Sequence, residues 1–422
     1  MAYRLVIANF GNSNQFPFFF HYDMEPILDL LSKRQTWEEF LAYRLLKGRF
    51  NWYEFDEADM YVSEEKYLGV VERLQRGDGL SIPTRHLVNK MGSGKKRVVY
   101  SFPPDEMTAL KAMSFLLYRY DPQLAPNCYS FRRGLTAHDA IRHLVRAIGD
   151  RPLWAYKLDI HNYFNSITIP LLLPILNEVM ADDPSLYRFF EQMLTDGRAL
   201  CDGTVVSEER GVMAGTPTSP FLANLYLREV DRHFDDSGVL YARYSDDIIL
   251  FAPDRQTLDG HIDVLTRFLA KYRLEANPDK VRIYRPDEAF DFLGFKCKGH
   301  GIDIADGTRQ KMKDRIRRKA RSLHRWSSKN NVAAEKAMKV LVRYFNNKFF
   351  DADDAATLTW SRWFFPVINQ TEGLREIDRY LQYNLRFVAT GKHNKANYRI
   401  RYDQLKQLGY RSLVHEFYEK HW

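Results

Sequence analysis

The chain has 422 residues, 45% of them hydrophobic and 14% aromatic, with a net charge of +8 and a pI of about 9.1. Its three cysteines, Cys128, Cys201 and Cys297, are too widely spaced for a disulfide framework or a zinc site, which fits a reducing cytoplasm. No apolar run is long enough to span a bilayer, so we expect no membrane contact. A basic, aromatic-rich chain favours a polyanionic partner, although a basic enzyme that binds no nucleic acid shares this composition.

The predicted elements alternate between helical and extended segments along most of the chain. Apolar residues recur every three or four positions, as in helices, at 24–78, 105–121, 136–149, 170–195, 219–236 and 257–272. Short apolar runs predict hairpins at 86–102 and 239–252, strands at 153–160 and 281–284, and two strands meeting at a Gly-rich turn within 290–304. From residue 309 the sequence is strongly basic at helical spacing, and a mostly helical pattern then continues.

These shifts divide the chain into three predicted regions. A helical N-terminal region covers 1–85, a mixed region covers 86–305, and a helical region covers 306–422. The mixed order of strands and helices predicts an α+β fold.

Two adjacent acids, Asp246 and Asp247, stand between the apolar runs of the 239–252 hairpin. Taken alone, the pair is typical of an ordinary turn. Asp159, however, lies near the end of another apolar strand, where a carboxylate needs a compensating partner. Acids from two strands can converge on a pair of divalent cations, which bind oxygen ligands and activate an attacking hydroxyl.

The sequence resembles the bacterial reverse transcriptases in a series of motifs that follow the family's order. The matching segments are NCYSFRRGLTAHDAI (127–141), LDIHNYFNSI (158–167), GVMAGTPTSPFLANLYL (211–227), YSDD (244–247), LEANPDK (274–280) and FDFLGF (290–295). Each motif alone is weak, but their order over roughly residues 86–300 is specific. The resemblance implies a right-hand polymerase, with fingers and an antiparallel palm sheet at 86–305 and a helical thumb in the region from 306.

The resemblance also implies RNA-directed DNA polymerase activity with two Mg²⁺ ions, for which Mn²⁺ can substitute. Asp159 and Asp246 would bind both metals, with Asp247 close by and the Ile160 carbonyl as a further ligand. Lys280 matches the lysine that protonates the leaving pyrophosphate, and the alternative for it is an exposed surface lysine.

Five further residues match the family's nucleotide-binding positions. The backbone amides of Asn162 and Tyr163 would face the triphosphate, and Phe164 matches the steric gate that excludes a ribose 2′-hydroxyl. Lys90 and Arg97 match the fingers cations that hold the triphosphate. The alternatives are a core aromatic for Phe164 and a solvated basic turn for the two cations.

The sequence departs from the family at Met213 and Ala214, which replace the usual Pro-Gln. The family's glutamine lines the nucleotide pocket, and the Ala214 side chain cannot form its hydrogen bond. This departure indicates either a nucleotide affinity unlike the family's or a specialised template and product. Because the catalytic acids are retained, we expect an active polymerase.

Residues that would contact primer and template lie towards the C-terminus. Phe292, Leu293 and Gly294 match the primer grip, although FLGF is equally typical of an ordinary buried strand. A basic helix follows and suits a thumb, or a merely solvated face. Its candidate contacts are Lys311, Arg315, Arg318 and Arg325.

Among bacterial reverse transcriptases, the sequence most resembles the defence-associated enzymes of the unknown group, with the second class as the favoured subdivision. This predicts cDNA synthesis from dNTPs on a dedicated noncoding RNA during antiphage defence. The alternatives are a retron or group II intron-type enzyme and a catalytically silent RNA-binding scaffold. The priming group and the oligomeric state are left open.

Overall fold

The computed structural model describes residues 25–47, 52–89, 96–351 and 358–419. The chain divides into two compact units. The first comprises Met1–Thr136 and Tyr156–Arg282, and the second comprises Ala137–Ala155 and Ile283–Trp422.

Both units contain helices among the described residues. In chain order they are α1 (Ile27–Leu30), α2 (Arg34–Leu46), α3 (Trp52–Ser63), α4 (Leu68–Arg76), α5 (Pro104–Leu116), α6 (Ala137–Ile148), α7 (Tyr163–Ser166), α8 (Ile169–Val179), α9 (Pro184–Thr195), α10 (Ser219–Tyr226), α11 (Arg228–Asp236), α12 (Arg255–Lys271), α13 (Asp306–Lys329), α14 (Ala334–Phe349), α15 (Trp360–Phe364), α16 (Glu372–Thr390), α17 (Tyr402–Gln407) and α18 (Leu413–Glu419). Short 3₁₀ turns cover Leu117–Gln123, Pro278–Lys280 and Lys395–Arg399.

The strands of the described residues are short and mostly antiparallel. They are β1 (Thr84–Asn89), β2 (Lys96–Ser101), β3 (Trp154–Asp159), β4 (Arg198–Cys201), β5 (Thr204–Ser207), β6 (Tyr241–Tyr244), β7 (Asp247–Ala252), β8 (Arg282–Tyr284), β9 (Phe290–Phe292), β10 (Phe295–Lys298) and β11 (Gly301–Ile304). The α+β class predicted from the sequence is confirmed.

A sheet in the first unit places β6, β7 and β3 side by side in that order. The apolar, partly β-branched run of β7 is buried from Ile248 to Ala252, because helices cover a strand whose two faces are both apolar. The β6–β7 hairpin is antiparallel, with Tyr244 opposite Asp247 and a two-residue turn between them. The hairpin predicted at 239–252 is therefore confirmed.

A second sheet of the first unit has the order β2-β1-β4-β5. The antiparallel pair β1–β2 runs from Thr84 opposite Ser101 to Asn89 opposite Lys96, which confirms the strands of the hairpin predicted at 86–102. The hairpin β4–β5 was not predicted from the sequence. It joins this sheet through Thr84, which pairs with Leu200 of β4.

The second unit contains the small antiparallel sheet β9-β10-β11 and a group of packed helices. The prediction of two strands within 290–304 is wrong, because three are present. The extra reversal occurs at Leu293 and Gly294, whose φ angles of 51° and 88° form a tight turn. The basic helix predicted after the mixed region is confirmed as α13, which buries Ile316 and Leu323.

The predicted boundaries of the three regions stay a prediction.

No helix of the described residues combines the length and the apolar character that crossing a bilayer requires.

Candidate active site

The end of β3 and the turn of the β6–β7 hairpin bring Asp159 and Asp246 together. The Ile160 amide donates a hydrogen bond to the Asp246 carbonyl at 2.9 Å, which ties the two segments backbone to backbone. Asp159 is the last residue of β3 and is only 5% exposed. A buried acid at the end of a strand and a half-buried acid in a hairpin turn are therefore neighbours in one site.

The hairpin turn sets the direction of Asp246. Ser245, the first residue of the two-residue turn, has a φ of 61°, in the left-handed region. A positive φ at this position is typical of the tight hairpin turns whose twist matches that of the strands, and it favours a small residue.

A third segment closes the other side of Asp159. The Asn277 amide donates to the Asp159 carbonyl at 2.7 Å, and the His161 amide donates to the Glu275 carbonyl at 2.8 Å. A 3₁₀ turn follows and carries Lys280, whose Nζ donates to Oδ2 of Asp159. The structure thus brings Lys280, a predicted site residue, into direct contact with a predicted metal ligand.

The electrostatics of the site disfavour a second negative charge. Burial, followed by repulsion from Asp159 and Asp247, raises the pKa of the Asp246 carboxyl to about 6. The Lys280 ammonium acts in the opposite direction on the same pKa. Asp247 is oriented partly towards Lys157, with 4.0 Å between Oδ1 and Nζ.

The donor set fits a divalent cation. Among the described residues, no three His, Cys, Asp or Glu side chains are grouped as a preformed metal centre. Instead, Lys280 pairs with Asp159, and Lys157 lies near Asp247. These ammonium groups supply the positive charge that a metal ion would supply to the same carboxylates. The assignment of Asp159, Asp246, Asp247 and the Ile160 carbonyl as metal ligands stays a prediction.

An aromatic cluster lies next to the acids. The Phe131 ring centroid is 6.4 Å from that of Phe164 and 6.4 Å from that of Tyr244. Phe131 is 42% exposed and has a φ of 53°, a backbone conformation that is uncommon outside glycine. Sequence reasoning named Phe164 but missed Phe131, whose signal is an aromatic residue within the NCYSFRRG motif.

The predicted triphosphate-facing residues flank this cluster. Asn162 has a φ of 48° and precedes the short helix α7. Tyr163 is buried, and its hydroxyl donates to the Ala223 carbonyl at 2.5 Å. Phe164 is half-buried, so it is not a core aromatic. Its role as a steric gate stays a prediction.

The loop that carries Ala214 is tied to the hairpin β1–β2. The Tyr100 amide donates to the Ala214 carbonyl at 2.8 Å. The Asn165 side chain bridges the same two segments, accepting from the Ala214 amide at 3.3 Å and donating to the Val98 carbonyl at 3.3 Å. A carboxamide is therefore present beside Ala214 although the family's glutamine is missing, and sequence reasoning did not identify it.

Of the two predicted fingers cations, Arg97 lies within the described residues. Arg97 lies on β2 opposite Val88 and is exposed. Lys90 lies outside the described residues.

About half of the chain, including this site, is similar to a known protein family. Residues 88–297 match the family model described as reverse transcriptase (RNA-dependent DNA polymerase). Residues 88–297 form a reverse transcriptase domain. The matched segment includes the predicted site residues from Arg97 to Gly294.

Relatives of this reverse transcriptase domain include intron-encoded proteins. The group II intron-encoded protein LtrA of Lactococcus lactis subsp. cremoris is 25% identical over 218 residues, which are 51% of this chain and 35% of that protein. An uncharacterised 91 kDa protein in a cob intron of Schizosaccharomyces pombe is 25% identical over 158 residues, 36% of this chain and 18% of that protein. The chain thus spans about a third or less of the length of these relatives.

Solved structures similar to the chain include telomerases. Apo telomerase from Candida tropicalis matches with a TM-score of 0.48 and 10% identity, over 78% of this chain and 60% of that one. Telomerase from Candida albicans in complex with the TWJ fragment of telomeric RNA matches with a TM-score of 0.43 and 14% identity, over 82% and 68% respectively.

The predicted primer grip of the reverse transcriptase domain lies in the second unit. Phe292 is fully buried, while Leu293 and Gly294 form the β9–β10 turn. The Gly294 carbonyl accepts from the Ala305 amide at 2.9 Å, which fixes this turn against the start of α13. The contact of these residues with a primer stays a prediction.

The predicted thumb cations share one face of α13. Arg315, Arg318 and Arg325 follow Lys311 by four, seven and fourteen residues, which places all four along a single stripe of the helix. Three are exposed and Arg315 is half-buried; the set is Lys311, Arg315, Arg318 and Arg325.

Proposed function

We propose that this chain is an RNA-directed DNA polymerase that uses two divalent cations and copies a dedicated noncoding RNA into cDNA. The observation that carries the proposal is the pair of neighbouring acids, Asp159 at the end of a strand and Asp246 in a hairpin turn, whose carboxylates repel each other within a reverse transcriptase domain. Clustered carboxylates of this kind are unfavourable without cations, and cations are what nucleotidyl transfer requires.

In this proposal Asp159 and Asp246 hold the metals, with Asp247 and the Ile160 carbonyl completing the protein ligands. Mg²⁺ is the expected ion, with Mn²⁺ as a substitute, because the donors are all oxygens. When bound, the cations lower the pKa of the attacking hydroxyl and neutralise charge on the phosphates.

The chain's own residues then position the reactants. The primer hydroxyl gives its proton to solvent as its oxygen forms a bond to the α-phosphorus of a dNTP, and the bond from that phosphorus to the pyrophosphate oxygen breaks. Lys280, whose Nζ donates to Asp159, would leave this carboxylate for the departing pyrophosphate and donate a proton to the pyrophosphate. Arg97 and Lys90 would hold the triphosphate, and the Phe164 ring would exclude a 2′-hydroxyl.

For the biological role we propose antiphage defence in the cytoplasm. The support is the sequence resemblance to the defence-associated enzymes, together with the departure at Ala214, where the family's usual glutamine is missing. Three free cysteines, two of them buried, suit a reducing compartment.

A second candidate is a retron or group II intron-type enzyme. It is favoured by the 25% identity with an intron-encoded protein over 51% of this chain. Sequencing the RNA and DNA that co-purify with the protein distinguishes the two, because an intron enzyme would carry its ribozyme and a defence enzyme a different noncoding RNA.

The polymerase proposal is tested with Asp246→Ala. Purified protein is supplied with Mg²⁺, dNTPs and co-purified RNA, and nucleotide incorporation is measured. We expect incorporation to fall to background, while Asp236→Ala, which removes an exposed acid of α11, keeps wild-type activity. Full incorporation by Asp246→Ala would refute the assigned site, and no incorporation by the wild-type protein under any condition would favour the silent scaffold.

A further inference from the structure

Arg243 is a fully buried arginine in β6, two residues before the catalytic turn. A buried guanidinium needs a counter-charge and acceptors for its donors. Asp231 of α11 supplies the charge: its Oδ1 accepts from Nε of Arg243 at 2.8 Å, and its Oδ2 accepts from Nη2. Asp231 is itself fully buried, and its Oδ1 also accepts from the Tyr241 hydroxyl at 2.9 Å.

The remaining donors of Arg243 reach three further segments, one of them through Cys128, whose Sγ accepts from Nη2 at 3.2 Å. Nη1 donates to the Asn224 side-chain oxygen and to the Ser245 carbonyl, both at 3.3 Å. Nη2 donates to the Asn224 carbonyl at 3.1 Å. The guanidinium thus connects α11, the end of α10 and the turn itself.

Ser130 holds the other peptide group of the turn residue. The Ser245 amide donates to the Ser130 hydroxyl at 2.8 Å, and that hydroxyl donates to the Asn224 side-chain oxygen at 3.0 Å. In return the Asn224 side-chain nitrogen donates to the Ser130 carbonyl at 2.6 Å. Ser130 and Asn224 are 0% and 1% exposed, so water does not compete for these bonds.

The network therefore holds both the N–H and the C=O of Ser245, the residue with a φ of 61°. A non-glycine residue in this region costs free energy and persists when its surroundings determine it. Asp246 follows directly, so the orientation of its carboxylate depends on the peptide plane that the network fixes.

We propose that Ser130, Asn224, Asp231 and Arg243 are positioning residues that hold the Ser245–Asp246 turn in its metal-binding geometry. This inference rests on the proposed role of Asp246 as a metal ligand. A buried ion pair is by itself weak evidence of a stabilising role, since apolar replacements are often as stable. The contacts to the Ser245 peptide groups are what an apolar replacement could not supply.

Ser130→Ala tests the proposal because it removes one hydrogen bond to the turn and no charge. Mn²⁺ binding is measured by isothermal titration calorimetry on the full chain, together with kcat, the KM for dNTP and Tm. We expect Mn²⁺ affinity and kcat to fall by about 10–100-fold, the range for groups that orient metal ligands. The KM for dNTP should change little, because Ser130 is 0% exposed and so does not contact a bound nucleotide.

The matched control is Ser361→Ala in the second unit. Ser361 is 1% exposed, and its hydroxyl bonds to that of Thr359 at 3.1 Å, so it loses a comparable buried bond. We expect it to lower Tm as Ser130→Ala does but to leave Mn²⁺ affinity and kcat unchanged. Wild-type Mn²⁺ affinity and kcat in folded Ser130→Ala would overturn the proposal, as would equal losses in both variants.

Asp246→Ala separates this proposal from the assigned site. If Asp246→Ala abolishes Mn²⁺ binding and activity while Ser130→Ala changes neither, the site stands and the positioning role fails. If Asp246→Ala binds Mn²⁺ as the wild type does, the site itself is wrong and the positioning role falls with it.

Discussion

The Asp246 carboxyl lies in surroundings that disfavour its own charge. Burial and the neighbouring carboxylates raise its pKa to about 6 from the ordinary 3.8. Because the folded-state pKa is the higher one, this carboxyl favours folding below about pH 4 and loses that contribution as the pH rises through about 6. The metal-free protein therefore retains a charge at neutral pH that costs stability.

Asp246→Asn should consequently stabilise the metal-free protein. In EDTA at about pH 7.5 we expect a gain of up to about 3 kcal/mol in the free energy of unfolding, since the pKa is raised from 3.8 to about 6 and one pKa unit corresponds to about 1.4 kcal/mol. The gain should vanish near pH 4, where the wild-type carboxyl is protonated. Urea unfolding at the two pH values measures both, and an equal or lower stability of the variant at the higher pH would contradict the prediction.

Phe164→Ala should weaken the discrimination between dNTPs and rNTPs. The half-buried Phe164 ring stands in an aromatic cluster beside the acids, and its removal opens space for a 2′-hydroxyl. We expect the ratio of kcat/KM values for dNTP and rNTP to fall by roughly 10–200-fold, the range that a steric pocket commands. Phe164→Tyr keeps the ring and should keep the ratio, and unchanged selectivity in Phe164→Ala would exclude the gate.

At the residue scale the sequence identified residues that the structure brings together, but not the contacts that surround them. The motif spacing named Asp159, Asp246 and Lys280, and the structure joins Lys280 to Asp159. The motif spacing did not identify Asn165 or Phe131, because a motif specifies residue types and not the contacts that a loop makes. Arg243 did carry a signal, since a charged residue within the apolar YARY strand needs a buried partner.

The hairpin β6–β7 is the element on which the site depends most. Its turn requires a positive φ at Ser245, which a β-branched side chain adopts only at a cost of about 1–2 kcal/mol. Serine already bears part of this cost, so Ser245→Val should lower the free energy of unfolding by less than about 1–2 kcal/mol, through the added crowding of a β-branched side chain, and reduce kcat. Ser245→Gly removes the steric cost and should fold at least as stably. Thermal and urea unfolding measure the difference, and equal stability of the two variants would contradict the assigned turn.

Elements with clear periodicity were predicted, and those set by tertiary contacts were not. The hairpin at 239–252 and the helix at 257–272 follow from apolar patterning alone, and Asp254 caps the latter by accepting from the Thr257 amide at 2.8 Å. The helical pattern at 170–195 is broken where Asp183 caps α9, a break that apolar spacing does not show. The hairpin β4–β5 was missed because its outer residues are exposed and its apolar run is short.

On the scale of the whole molecule, the net charge is +8, and many of the lysines and arginines lie in α13. Replacing Lys311, Arg318 and Arg325 by Ala should weaken RNA binding and flatten its salt dependence. Each phosphate that the variant no longer neutralises should reduce the slope of log K against log salt by about 0.7–0.9. Filter binding at several KCl concentrations measures this slope.

The control removes the same charge elsewhere. Arg34, Arg255 and Lys339 are exposed cations, each in a helical ion pair with an acid four residues on or back. Their triple replacement by Ala should leave the slope nearly unchanged. A similar weakening in both triple variants would show that net charge, and not the α13 face, governs RNA binding.

The ion pair between Arg243 and Asp231 has a consequence for the divergence of this protein. Each side chain is fully buried, so replacing either one alone leaves its partner's charge without compensation. A lineage can abandon the pair only by passing through a poorly folded intermediate or by changing both positions together. Positions 231 and 243 should therefore change together among related sequences, even where the surface residues around them have been substituted independently.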